Sequence, residues 1–256
     1  MFDTKYPSRG RARIGIVVPV SNSNLEPDMT MLAPPGVSLH FTRAGGYDVD
    51  KIPDEKQMQH YSDTPADELF TGLKQCGAEI ILYGCTSATL AQGPDYDSRF
   101  RHHIEALTGL PALTAADCLV RTLKALGIAR FAFASPYVAS LNDLAIGFLG
   151  SFALTCVSRY DAPLALGNPE VAAVTPDEIV KIAASVDHTD AEAIVLSCTD
   201  YRATEAIDEI ERITNKPVIT SSQATLMLAL NRLGISTEES PLANHLATRR
   251  LDGNFD

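Results

Sequence analysis

Two stretches of this 256-residue chain combine side chains that can do covalent or proton-transfer chemistry. In "ILYGCTSATLAQG" (81–93) an apolar run stops at Gly84 and is followed at once by Cys85, Thr86 and Ser87. In "AIVLSCTDYRATEA" (193–206) the same event recurs, with Cys198 and Thr199 after the apolar run. A cysteine at a strand end ahead of a helix sits among backbone N–H groups, at the positive end of a helix dipole, which favours its thiolate. Two such cysteines on opposite walls of a cleft form an acid–base pair. One, as thiolate, removes a proton or attacks a carbon from one face, and the other, as thiol, delivers a proton from the opposite face. The competing reading is packing, because free cysteine is among the most buried residue types. Cys76 and Cys118, in helix patterns, and Cys156, within a strand, are read that way. Cys85 and Cys198 stand apart because Cys-Thr follows a buried strand twice at matching places.

Polar residues at other strand ends extend the candidate site. "VVPVSNSNLEPDM" places Ser21, Asn22, Ser23 and Asn24 directly after the first strand. A neutral amide holds a substrate carboxylate without quenching a nearby thiolate, although either asparagine can instead cap a helix. "ASPY" puts Tyr137 at the corresponding end in the second half, where a phenol either bonds an oxyanion or packs. Asn168 falls in a Gly-Asn-Pro segment whose default reading is a turn.

The elements that must position these residues alternate along the chain. Strands are expected at 12–20, 37–45 and 78–84, and helices at 65–77, 95–109 and 115–127. The second half replays the order, with strands at 130–137, 152–161 and 191–197 and helices at 176–186 and 201–214. Short continuous apolar strands alternating with amphipathic helices indicate a parallel sheet covered on both faces. "AEIILYGCTSA" lies over "AEAIVLSCTDY", and "LPALTAADCLVRTLKALGI" over "KPVITSSQATLMLALNRLGI". The expected fold is therefore α/β, with two similar lobes, each a parallel sheet flanked by helices, related by a pseudo-two-fold axis with the active site between them. The lobes are placed at 12–116, carrying Cys85, and 130–222, carrying Cys198. Helix 115–127 crosses over between them, and 222–256 forms C-terminal helices and a tail. Ligands of such sheets bind beyond the carboxyl ends of the strands, where both cysteines lie.

Other signals exclude function classes. A formal net charge of −11 argues against a broad nucleic-acid surface. No apolar segment reaches membrane-spanning length, and "MFDTKYPSRGRARIG" lacks the apolar stretch of a secretory signal. Five cysteines, an odd number without paired spacing, suit a reducing cytoplasm. There is no phosphate-binding glycine loop and no HExxH. His102 and His103 are adjacent on a helix and cannot share a face, so no metal is expected. The acidic pairs in "DYD" (95–97) and "DEIE" (208–211) read as solvated helix faces.

The chain resembles the aspartate/glutamate racemase superfamily, and within it is most similar to maleate cis-trans isomerases. The residues that carry this are "PVSN" (19–22), "GCTS" (84–87), "SPY" (135–137), "NPEV" (168–171), "SC" (197–198) and "PVITSSQATL" (217–226), in that order over roughly residues 12–235. The resemblance implies a cofactor-independent enzyme with Cys85 as nucleophile and Cys198 as acid–base partner. It implies Asn22, Tyr137 and Asn168 as ligands of substrate carboxylates, with Thr86, Ser87 and Thr199 beside them. Backbone N–H groups of the Gly84–Ser87 turn would then stabilise enediolate charge. Two features depart from the isomerase pattern. One is the Ser-Asn-Ser-Asn run. The other is Asp200, whose charge near Cys198 would favour the protonated thiol. The implied reaction is isomerisation of a small unsaturated dicarboxylate such as maleate. Racemisation of an acidic amino acid or hydantoin by the same two thiols is the alternative. A decarboxylase of the arylmalonate type, which relies on one cysteine, and a non-catalytic binding protein fit less well. Apolar helices such as "SQATLMLALNRLG" (222–234) leave room for a homodimer.

Overall fold

The computed structural model describes residues 10–45, 54–63 and 66–250. The first half runs β1 (Ala12–Pro19), α1 (Leu25–Leu32), β2 (Val37–Ala44), α2 (Glu55–Asp63), α3 (Asp67–Gln75), β3 (Ile80–Tyr83), α4 (Thr86–Leu90), α5 (Pro94–Thr108), β4 (Ala112–Thr114) and α6 (Ala115–Ala125). The second runs β5 (Arg130–Ala134), α7 (Ala139–Gly150), β6 (Thr155–Tyr160), α8 (Asn168–Ala173), α9 (Pro176–Val186), β7 (Ala193–Leu196), α10 (Ile207–Thr214), β8 (Val218–Thr220), α11 (Ser221–Arg232) and α12 (Leu246–Arg250). Each half forms a four-stranded parallel sheet, in the orders β2-β1-β3-β4 and β6-β5-β7-β8. The central strands β1, β3, β5 and β7 are buried almost throughout, as continuous apolar runs covered on both faces must be.

The duplication extends to individual hydrogen bonds. Glu79 accepts from the Arg13 amide at 2.8 Å, and Glu192 from the Arg130 amide at 2.9 Å. Glu105 accepts from the Ala112 amide at 3.3 Å, and Glu211 from the Val218 amide at 3.0 Å. The strands β4 and β8 are three residues long, too short to show a sequence period. Each follows a proline and ends in a threonine, Thr114 or Thr220, whose hydroxyl caps the next helix.

Those helices join the halves. α6 packs on α11 and reaches β8, while α11 reaches β3 and β4 across the junction. All ten residues from Ser221 to Leu230 are buried. One core cluster accordingly contains Ile14, Ile80 and Leu119 from the first half together with Phe131, Val195 and Leu226 from the second. The helix expected to leave an apolar face for a second copy is thus used up inside the chain. No helix among the described residues is long and apolar enough to cross a membrane.

Three local expectations are corrected. The helix expected at 201–214 begins at Ile207, after a 3₁₀ turn over Thr204–Ala206. Asp97 and Glu211 are buried rather than solvated. Asp97 accepts from Thr114 Oγ1 at 2.5 Å and so fixes the hydroxyl that caps α6, whereas Glu211 accepts from the amides of Val218 and Leu246 and braces backbone. Cys76 is exposed at the end of α3, whereas Cys118 is packed inside α6 as expected and Cys156 is half-buried in β6.

Gly84 fixes how the first cysteine leaves its strand. Its N–H donates to Val17 O at 2.8 Å, so β3 stays pinned to β1 up to the residue before Cys85. A Cβ at this position would lie 2.4 Å from Leu25 Cδ2 and 3.0 Å from Val17 O. Overpacking of that kind costs ~1–3 kcal/mol. Gly84→Ala is therefore expected to lose that much stability in urea unfolding, whereas Gly72→Ala, with open space around it, is not.

Candidate active site

Beyond the carboxyl ends of β1, β3, β5 and β7 the two halves enclose one cavity. Its lining includes every residue singled out from the sequence as catalytic or substrate-binding: Cys85, Cys198, Asn22, Tyr137, Asn168, Thr86, Ser87 and Thr199. Its volume is about 30 Å³, where a single water needs ~10–15 Å³, so the site suits a ligand of a few carbons. Among the described residues, no group of three or more histidine, cysteine or acidic side chains is arranged to hold a metal ion.

Cys85 is the residue before the first turn of α4, with extended backbone. The amides of Ser87 and Ala88 and the Ser87 hydroxyl favour its thiolate, but burial outweighs them and pushes the thiol up to about 11. Cys198 has no helix behind it. Burial and then the charge of Asp200 push it up to about 12, against the opposing effect of Tyr137 and the Asp200 amide. The expectation that strand-end position alone would favour both thiolates is therefore corrected. With walls this closed, desolvation exceeds what a five-residue helix or a turn can return. The expected influence of Asp200 on Cys198 is present and has the expected sign.

The Cys198-Thr199-Asp200 turn is tied to the other half. Asn22 Nδ2 donates to Thr199 Oγ1 at 3.1 Å, and Thr199 Oγ1 donates to Gly84 O at 2.8 Å. Asp200 Oδ1 accepts from the amides of Ser23 and Asn24 at 2.8 and 3.1 Å, and Asn24 Nδ2 donates back to Asp200 O at 2.8 Å. The two asparagines divide the work differently from the sequence expectation. Asn22 Oδ1 accepts from the amides of Asn24 and Leu25 at the start of α1, while the Asn24 side chain bridges to Asp200 and to Ala172 O. Gly84 N–H is spent on the sheet, as is Ser197 N–H, which donates to Ala134 O at 2.9 Å. Neither belongs to a free oxyanion site.

Tyr137 points its hydroxyl at Cys198 Sγ, 3.3 Å away. Its loop is held by Asn142, fully buried in α7, whose Nδ2 donates to the carbonyls of Tyr137 and Tyr160 and to Asp161 Oδ1. Asn168 is the first residue of α8, not a turn. The Ser87 hydroxyl reaches Met58 Sδ at 3.0 Å and lies 3.8 Å from Cys85 Sγ. The Thr86 hydroxyl is buried with no hydrogen-bond partner among the described residues.

Sequence reasoning missed Met58 and Tyr61 on α2, which close the cavity on the Cys85 side. Their signal is faint, two apolar residues three apart in the polar stretch "DEKQMQHYSD". It also missed Asn142, whose position inside a helix gives no hint that it steers Tyr137.

A family model described as arylmalonate decarboxylase matches residues 14–244. The chain is 25% identical to a maleate isomerase of Geobacillus stearothermophilus over 88% of its own length and 93% of the relative's. It is 28% identical to a maleate isomerase of Nocardia farcinica, over 88% and 92%. Among solved structures it is similar to the maleate isomerase of Pseudomonas putida S16, a cysteine-to-alanine variant crystallised with maleate. There the TM-score is 0.84 at 25% identity, covering 93% of this chain and 97% of that one.

The thiol environments order the cysteines by reactivity. Alkylation by iodoacetamide at pH 8, followed by peptide mass spectrometry, is expected to modify exposed Cys76 first. Cys85 and Cys198 should react at least ~10-fold more slowly than a free thiol. The Cys85 rate should climb about tenfold per pH unit until close to pH 11.

Proposed function

The chain belongs to the arylmalonate decarboxylase family, and from that footing we propose that it catalyses the cofactor-independent cis–trans isomerisation of a small unsaturated dicarboxylate, maleate to fumarate. The observation that carries this reading is the meeting of two thiols, one from each half, on a single small cavity whose other polar groups are amides, hydroxyls and one carboxyl. The named function of the relatives, spread over nearly the whole chain, supports it.

Cys85 is the nucleophile. It is the less strongly raised of the two thiols, and α4 offers its sulfur two amides. Below about pH 11 a minor fraction of Cys85 is ionised, its proton given up to solvent. This thiolate adds to one olefinic carbon, forming a C–S bond and moving the π pair onto the neighbouring carbon, where the attached carboxylate takes it up as an enediolate. The former double bond is now single and rotates. The pair then returns to re-form the double bond in the trans geometry as the C–S bond breaks, so the thiolate is regenerated with no net change in protons or electrons.

Cys198 stays a thiol through this cycle, because burial above all opposes its ionisation. Its S–H faces the carbon that carries the extra pair and stabilises it by hydrogen bonding or transient protonation. Tyr137, in contact with Cys198, supports the same charge, and Asn22, Asn168, Thr86 and Ser87 hold the two carboxylates, while Thr199, whose hydroxyl is spent on Gly84 O, fixes the Asn22 amide beside them. Holding both ends by neutral donors lets the carboxylates swing as the central bond turns, which a rigid arginine fork would resist.

Proton NMR of maleate in deuterated buffer tests the reading. The maleate signal should be replaced by that of fumarate, and aspartate should not exchange its α-proton. Cys85→Ala and Cys198→Ala should each lose at least ~10²-fold in turnover while unfolding like the parent protein. Near-parental turnover by either variant would refute the two-cysteine mechanism.

A further inference from the structure

The pocket departs from what a dianion would ask for. Among the described residues that line it there is no lysine, arginine or histidine, and the one carboxyl is that of Asp200. Its carboxyl is buried at the cavity wall and fixed by the two amides of Ser23 and Asn24. It cannot swing away from a ligand without giving up both bonds. A dicarboxylate bound between Cys85 and Cys198 therefore meets a third carboxyl in a poorly solvated space, where like charges close together are not both tolerated.

The geometry points to Asp200 as the residue that selects the charge of the ligand: a dicarboxylate dianion occupies this pocket only with Asp200 protonated, so that binding takes up one proton from solvent. This rests on the dicarboxylate reading above. The free protein is already poised for it. Burial raises Asp200 to about 6 in spite of its two amide donors.

The charged and titratable groups facing Asp200 do not cancel the effect. Arg43 on β2 favours the carboxylate, but its guanidinium is committed to Glu26 and to the carbonyls of Asn22 and Pro19. Asp28 on α1, raised to about 7 by its own burial, adds negative charge when ionised. Cys85 and Cys198 remain thiols up to about 11 and 12, and burial raises Tyr137 further. Between pH 7 and 9 the proton needed by Asp200 is therefore drawn from solvent.

The sign follows from linkage. Above about pH 6 the free protein carries ionised Asp200, and a complex that needs the neutral acid weakens about tenfold for each pH unit gained. Succinate is a suitable probe, being a saturated four-carbon dicarboxylate with no double bond for a thiolate to attack, and it is a dianion across this range.

Calorimetric titration of the full chain with succinate at pH 7, 8 and 9, in two buffers of different ionisation heat, is expected to give a tenfold loss of affinity per unit. It should also give uptake of about one proton per site at pH 8. Asp200→Asn keeps an oxygen for the Ser23 and Asn24 amides and cannot ionise. Its affinity should be flat from pH 7 to 9 and at least tenfold tighter than the parent at pH 8, while Asp28→Asn should retain the parental slope. Zero proton uptake by the parent protein overturns the proposal, as does an Asp200→Asn variant that binds more weakly than the parent at every pH. Failure of the parent and of Asp200→Asn to bind succinate at any pH overturns the dicarboxylate reading itself, which the charge-selection outcomes leave untouched.

Discussion

The two-thiol cavity exists because one turn of the second half is bonded to the strand ends of the first. Cys198, Thr199 and Asp200 occupy three successive positions, and the latter two are held by Asn22, Ser23, Asn24 and Gly84. A buried hydrogen bond is worth only ~1 kcal/mol net, but leaving one buried partner unsatisfied costs ~1–3 kcal/mol. A network with several such bonds therefore acts less as a source of stability than as a penalty on misalignment. It sets where Cys198 stands relative to Cys85, and it does so through residues immediately next to the two thiols. Gly84 supplies both the last sheet bond before Cys85 and the carbonyl that Thr199 reaches.

That network works only if the halves cannot drift, and the shared core ensures this. α6 and α11 are each the last helix of a repeat, and each buries itself against the other repeat as well as its own. A duplicated chain could have formed two separate globules with a polar contact between them. Instead the junction is apolar, with Leu119, Phe131, Leu226 and Leu228 in one cluster. Small displacements across a close-packed interior are opposed by many contacts at once. The price of this rigidity is that the two cavity thiols are buried with it.

How much could be read from the sequence follows from the same two facts. The internal repeat and the buried strands were legible because continuous apolar runs and the Cys-Thr echo are local patterns. All eight residues named from spacing and resemblance do line one cavity. What was not legible depends on contacts between distant segments. The carboxyls of Asp97 and Glu211 look like surface charge until the Thr114 hydroxyl and the Val218 amide they hold are seen. Asn22 and Asn24 are two residues apart, and no local rule says which caps α1 and which crosses to Asp200. Met58, Tyr61 and Asn142 carry no motif at all, since their roles come from where α2 and α7 pack. The protonation of the cysteines was misjudged because a strand-end position is visible in sequence and the degree of desolvation is not.

Desolvation need not work against the chemistry. A pair of facing cysteines fails if both ionise, since two thiolates in one small cavity repel each other and no proton donor is left. It is equally idle if neither ionises. Burial alone would raise both thiols alike, so the useful asymmetry must come from the groups around them. α4 provides it on one side, by turning the Ser87 and Ala88 amides toward Cys85. Asp200 provides it on the other in the free protein, by opposing charge on Cys198. The repeat thus supplies two equivalent thiols, and the differences between its halves, a helix after one and an acid after the other, give them different electrostatic environments.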